Sequence, residues 1–256
     1  MILLLLLIST LALGLAAACL YKIRKVHLLL FEVLDRVKRV GEVDLQNHLK
    51  QVQNIERLHN RLNLPKGSLP SAGGWTALPD LLLDISERIL SSEIEEILEC
   101  GSGISTVVSA QSFKARFESK GKKGKVFTLE HDKDCADVTR RELSRLGLES
   151  YAEVIDAPLV DYEIDGGKYR WYSLDNKPWK SVDLLFVDGP PVNTCKHARF
   201  PALPLLEKDL SSNLLVILDD GIREEEKEIS DRWLRAEPKL AKRPTFFERG
   251  AIFLER

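Results

Sequence analysis

The side chains best suited to chemistry fall at the ends of short apolar runs. Residues 94–100 lead into Glu99-Cys100-Gly101-Ser102-Gly103-Ile104-Ser105-Thr106. Glycines there let backbone approach a ligand, and the first amides of a following helix point at the same spot. The run is not a P-loop, since no Gly-Lys-Ser/Thr follows, and Thr106 stands where the third glycine of a dinucleotide fingerprint would fall. A second run ends at Glu130, followed by His131 and Asp132. A carboxylate at that position can accept hydrogen bonds from both hydroxyls of a ribose, the alternative being a solvated acid at a strand end.

Two further runs end in acids. Val182-Asp183-Leu184-Leu185-Phe186-Val187-Asp188 is followed by Gly189-Pro190-Pro191, and the stretch from Leu214 ends in Asp219-Asp220-Gly221. A charge at the end of a buried strand needs a partner. Adjacent strands would gather Asp188, Asp219 and Asp220 around one hard divalent cation such as magnesium. Two plainer readings stay open: Asp219 or Asp220 caps the helix from Glu224, or Asp188 positions a substrate without metal. His197 and His131 are candidate proton acceptors. Trp75, Trp171, Tyr172 and Trp179 lie in loop-like sequence and form either an acceptor wall or the plug of a lid.

These positions demand strands whose carboxyl ends share one edge. The alternation of apolar runs and amphipathic stretches predicts strands at residues 94–100, 125–130, 152–155, 182–188 and 214–219. Helices are predicted at 79–90, 105–118, 133–146, 200–209 and 224–235. Residues 245–255 read as two strands joined tightly at Glu248-Arg249-Gly250, hence antiparallel. The fold class is α/β: a doubly wound, mostly parallel sheet with a C-terminal antiparallel hairpin.

Together these motifs, with Asp156-Ala157-Pro158-Leu159, resemble class I S-adenosylmethionine-dependent methyltransferases. The likeness is greatest to a bacterial branch with a Gly-Trp start, a Gly-Ser-Gly-x-Ser-Thr turn, a Leu-Glu-His-Asp strand end and a Val-Asp-Gly-Pro-Pro strand end. The resemblance spans residues 73–256. It implies a seven-stranded Rossmann-like sheet and S-adenosyl-L-methionine as cofactor. Glu99, Gly101 and Gly103, with Ser105 and Thr106 of the same turn, would line the methionine end. Glu130 and His131 would serve the ribose, and Asp156 with Ala157 would flank the adenine. Asp188 would face the transferred methyl. Metal-dependent O-methyltransferases carry acids where Asp188, Asp219 and Asp220 stand, whereas their lysine after the fourth strand has no clear counterpart beyond Lys196 and His197. The Asn/Asp-Pro-Pro-aromatic motif of amino methyltransferases is absent, which favours an oxygen acceptor.

Ahead of this domain, residues 2–20 are uncharged, almost wholly apolar, and long enough to cross a bilayer as a helix. Lys22, Arg24 and Lys25 follow directly. The positive-inside rule then predicts a single-pass inner or plasma membrane protein with its catalytic domain cytoplasmic. The organisation expected is a transmembrane anchor at 1–25, an amphipathic helical stalk at 26–64, a Pro/Gly linker at 65–74 and the catalytic domain at 75–256. The stalk either packs on its own domain or pairs two chains as a homodimer.

A formal net charge of −2, with basic residues dispersed, leaves no electrostatic footprint for nucleic acid. The four cysteines lack zinc-ligand spacing. The function expected is methyl transfer to a hydroxyl of a small-molecule, glycan or lipid-linked acceptor. The alternative is a tethered scaffold of the same fold that binds without catalysis. A nucleotide-dependent oxidoreductase is disfavoured by the missing third glycine and the terminal hairpin.

Overall fold

The computed structural model describes residues 2–39, 41, 45–64 and 77–256, with side chains from Ile8 onward. The predicted linker at 65–74 and Trp75 lie outside the described residues. The chain forms two compact units, residues 1–50 and 51–256.

The first unit contains helix α1 (Ile2–Arg39) and the beginning of α2 (Leu45–Leu62). The predicted membrane span at residues 2–20 has no counterpart among the described residues. Among the described residues no helix is long and apolar enough to cross a membrane. The apolar run from Ile8 is short and soon meets Lys22, Arg24 and Lys25, and the leucines before Ile8 lie outside the described side chains.

The remainder of α2 belongs to the second unit, where Leu58 and Leu62 are buried. The predicted stalk therefore divides: its C-terminal turns are part of the globular domain. Its apolar positions are spaced as a helix requires, so one face enters the core while the polar face stays outside.

In that second unit α3 (Pro79–Ser91), β1 (Glu96–Cys100), α4 (Ile104–Lys120), β2 (Lys125–Glu130), α5 (Lys133–Arg145) and β3 (Ala152–Asp156) follow one another. Next come β4 (Leu159–Ile164), β5 (Gly167–Tyr172), β6 (Val182–Val187) and α6 (Ala202–Leu206). Strand β7 (Leu210–Leu218), α7 (Glu224–Ala236), β8 (Ala241–Arg243) and β9 (Ile252–Glu255) complete it. Seven strands form one sheet in the order β3-β2-β1-β6-β7-β9-β8. The first five strands in that order pair in parallel, while β9 is antiparallel to both β7 and β8.

Burial follows the two-residue period of the strands. Ile97, Leu184, Phe186 and Ile217 join one core with Leu58, Leu82, Ile85, Val108 and Phe113 from the helices on that face. Leu98, Leu185, Val187 and Val216 join the other, with Trp171, Phe200, Leu203 and Trp233. Continuous apolar strands are what a sheet covered on both faces needs.

Three differences from the sequence reading stand out. The terminal antiparallel pair exists, but it comprises Ala241–Arg243 and Ile252–Glu255 with a long connection, not a tight turn at Glu248-Arg249-Gly250. Residues 159–172, given no element by the sequence reading, form a separate antiparallel hairpin, β4 with β5. Strand β7 begins at Leu210, earlier than predicted, because Ser211, Ser212 and Asn213 disguise its exposed start.

Candidate functional site

Where the parallel strands end, backbone hydrogen bonds continue between their loops. The Gly101 amide donates to the Leu129 carbonyl (2.9 Å), Ala157 to Glu130 (2.7 Å), Asp188 to Cys100 (3.2 Å) and Asp219 to Val187 (3.1 Å). These bonds fix Glu99, Glu130, Ala157, Asp188 and Asp219 along one carboxyl edge. Strand order reverses between β1 and β6, and open α/β sheets bind ligands at such a switch point.

At the β1 turn Gly101 has φ of 98°, a left-handed conformation that favours glycine. A side chain on Gly103 would meet nothing within 4 Å, so the turn opens onto free space there. Thr106, buried in the first turn of α4, accepts from the Gly103 amide (3.1 Å) and donates to Glu99 Oε2 (2.6 Å). Glu99 is 1% exposed, and its Oε1 has no hydrogen-bond partner among the described residues. Burial pushes its pKa up to about 8, with the Thr106 and Ser105 hydroxyls opposing the rise. A buried acceptor left open is costly unless a ligand donor meets it.

Glu130 is not the solvated acid of the alternative reading: it is 6% exposed. Its Oε2 accepts from the Ser102 amide and hydroxyl, both at 2.8 Å, and its Oε1 from the amides of His131 (2.9 Å) and Asp132 (3.0 Å). The His131 ring sits with Nδ1 3.1 Å from Glu130 Oε1 and its edge toward Tyr172. Asp132 caps α5 by accepting from Cys135 N–H. Asp156 is exposed and paired with Arg140 at 2.7 Å, while its neighbour Ala157 is buried.

Asp188, Asp219 and Asp220 do converge: one carboxylate oxygen from each lies within 4.8 Å of the others. Neither Asp219 nor Asp220 caps α7, whose N-cap is Arg223 without a side-chain bond. The cluster already contains a cation. Arg199, 4% exposed, donates through one terminal nitrogen to the Asp188 carbonyl (2.9 Å), Asp188 Oδ1 (3.2 Å) and Asp220 Oδ2 (3.2 Å). Its other terminal nitrogen donates to the Asp219 carbonyl (3.0 Å) and lies 3.7 Å from Glu226 Oε1. Arg223 holds Asp220 Oδ2 from outside at 2.9 Å. Asp219 Oδ1 accepts from the Asp220 amide at 2.7 Å. A divalent ion needs most of its ligand oxygens to itself. With a guanidinium among them, these acids do not fit the magnesium site predicted from sequence.

Burial, and next the charge of Asp219, push the proton affinity of Asp188 well above the ordinary carboxylate range, against the pull of Arg199. Burial acts to lower the pKa of Arg199, yet Asp188, Asp220 and Glu226 outweigh it and the net direction is upward.

His197 is not at this edge as a free base. Its Nε2 lies 2.6 Å from Glu228 Oε2 and its amide donates to Glu225. The histidine is spent on tying its loop to α7. The aromatic wall is corrected as well: Trp171, Tyr172 and Trp179 are core residues, the first two in β5. Tyr172 explains Gly189, because a Cβ there would fall 2.2 Å from the Tyr172 hydroxyl and 3.0 Å from the Cys100 carbonyl. Arg199 is the residue that sequence reasoning missed. Its signal was a lone arginine between Ala198 and Phe200 in an otherwise apolar stretch.

No family model matches the chain, and no curated protein matches it. Solved structures do. An O-methyltransferase from Bacillus cereus in complex with SAH has a TM-score of 0.52 at 20% identity, over 79% of this chain and 89% of that one. The SAH-bound methyltransferase PaMTH1 of Podospora anserina gives 0.51 at 14% identity, over 80% and 86%. A methyltransferase from Geobacter sulfurreducens gives 0.50 at 14%, over 81% and 90%. At these identities the likeness speaks for architecture: the chain shares the Rossmann-like fold of these structures, and its acidic edge lies where the strand order reverses.

Proposed function

We propose that the chain is an S-adenosyl-L-methionine-dependent methyltransferase acting on a hydroxyl oxygen. The observation that carries this reading is the open, buried Oε1 of Glu99 beside the bare turn at Gly103, one strand from the enclosed carboxylate of Glu130. A donor-bearing, positively charged ligand end matches Glu99. Ribose hydroxyls match Glu130, where they would take the place of the Ser102 hydroxyl, and Asp156 with Ala157 would flank the adenine. The cofactor supplies a methyl on a sulfonium, which is already activated for transfer.

The protein's part is then to align the acceptor and take its proton. Asp188 suits the second task, since burial and Asp219 raise its affinity for a proton above that of an ordinary carboxylate. His131 remains a second candidate, held beside Glu130.

The preference for oxygen rests on the missing amino-methyltransferase motif and agrees with the Bacillus cereus neighbour being an O-methyltransferase. The acceptor class, a small molecule, glycan or lipid-linked intermediate, is proposed from the apolar N-terminus. So are the membrane tether and the cytoplasmic orientation, drawn from residues 1–25, and pairing of two chains through the amphipathic stalk at 26–64. Carbonate-resistant sedimentation with membranes is the expected behaviour, and release by carbonate removes the tether from the proposal.

The central test is calorimetric titration of the full chain with S-adenosylmethionine. Binding that weakens by about a hundredfold in Glu130→Ala is expected, from the loss of two charge-assisted hydrogen bonds. Absence of binding by the wild type, or undiminished binding by the variant, overturns the reading.

A further inference from the structure

The geometry points to Arg199 as the resident cation of the Asp188, Asp219 and Asp220 cluster, taking the place that a divalent ion would otherwise take. The site therefore works without a bound metal. This rests on the methyltransferase reading for its purpose, but the cation assignment itself stands on contacts alone.

Arg199 reaches the ends of both β6 and β7. It binds the Asp188 carbonyl and carboxylate on one strand end and the Asp219 carbonyl and Asp220 carboxylate on the next. A planar guanidinium serves this geometry because its donors fork in fixed directions. A bound metal ion would gather the same strand ends from one point. The arginine cannot leave cheaply, since it is buried between Ala198 and Phe200, which are buried themselves. Two further arginines reinforce the positive side: Arg223 contacts Asp220 and lies 3.6 Å from Glu226, and Arg249 adds a favourable field at Asp219. A dication entering this cluster would meet guanidinium charge on several sides.

The consequence is a cluster whose charge balance is covalently built in. It stays in place through every turnover and through dilution. A metal could be removed by a chelator, but Arg199 cannot.

Manganese is the probe, chosen because its free and bound forms differ in their electron paramagnetic resonance spectra. In the full-length wild type, with or without S-adenosylmethionine, no binding tighter than about 1 mM is expected. In Arg199→Met the three carboxylates lose their cation, and manganese affinity is expected to rise at least about tenfold. Arg199→Lys keeps a positive charge and should resemble the wild type. Should the Met variant fail to fold, wild type and Asp219→Asn carry the test, and both are expected to leave manganese free. Stoichiometric submillimolar binding by the wild type, lost in Asp219→Asn, overturns the assignment. A folded Met variant that binds no better than wild type also overturns it. Calorimetry with S-adenosylmethionine on the same samples keeps the two ideas apart. A wild type that binds neither ligand fails the methyltransferase reading and leaves Arg199 as the cluster's cation.

Discussion

Arg116 and Arg199 are buried at opposite edges of the same sheet, and they are held by different chemistry. At the amino edge Arg116, 1% exposed, donates to the carbonyls of Ile89 (3.1 Å), Ser92 (3.2 Å) and Lys123 (2.7 Å). Burial, the largest influence on it, lowers its pKa. At the carboxyl edge Arg199 faces four acids, Asp188, Asp219, Asp220 and Glu226, and its pKa is raised. Acids at the amino edge are likewise held by backbone amides. Asp183 accepts from the amides of Glu95 (2.9 Å) and Glu96 (3.2 Å), and Glu96 from those of Lys180 (2.7 Å) and Ser181 (2.9 Å). The carboxyl edge keeps acids in excess and an open oxygen on Glu99. Buried charge at one edge is met by backbone carbonyls, while at the other it is met by acids.

The comparison breaks most visibly if the acids of the two edges prove interchangeable in catalysis. Under the proposed function Asp188→Asn would remove the proton acceptor while keeping its shape, and a loss of about a thousandfold in turnover is expected, within the usual range for a general base. Cofactor affinity should stay close to wild type. Asp183→Asn, at an acid that accepts from backbone amides at the amino edge, should leave turnover unchanged. The measurement is incorporation of labelled methyl in membranes from an overexpressing strain. Equal effects of the two substitutions would erase the distinction.

Stability should show the opposite asymmetry. Arg116→Met leaves one buried and two part-buried carbonyls without this donor, and at about 1 kcal/mol or less for each the expected loss is about 2 kcal/mol. Urea unfolding followed by tryptophan fluorescence reads this in the second unit, since every tryptophan lies beyond residue 50. Affinity for S-adenosylmethionine should be unaltered. A change in that affinity with little loss of stability would place Arg116 among the functional groups and dissolve the contrast.

What sequence could foresee follows from the same division. Strands β1, β2 and β6 lie in covered parallel sheet, so their apolar runs end at visible acids, and Glu99, Glu130 and Asp188 were legible with their loops. The hairpin of β4 and β5 was not, because its exposed charged positions, Asp161, Glu163, Lys168 and Arg170, hide three buried aromatics, Tyr169, Trp171 and Tyr172. Periodicity in α2 revealed a helix without saying what its apolar face would meet, and Leu58 and Leu62 met the domain core. Asp219 and Asp220 suggested a metal because acids are read by type. Their partner, Arg199, comes from a loop, and no spacing rule links a loop to a strand end. His197 and Glu228 likewise find each other only after folding.

The smallest effect tests whether the open oxygen of Glu99 belongs to the comparison at all. Its pKa in the fold is about 8, above the ordinary value of 4.5, so the folded protein holds a proton that the unfolded chain has released across that window. Stability from this group is therefore complete below about pH 4.5 and falls as pH rises toward 8 and beyond. Between pH 7 and 8 the linkage amounts to about 1 kcal/mol. Glu99→Gln cannot ionise and should lack that decline, so the difference between the two unfolding curves should grow by this amount over that unit. If the curves run parallel, Glu99 is already satisfied in the ligand-free protein, and the carboxyl edge is as closed as the amino edge at that point.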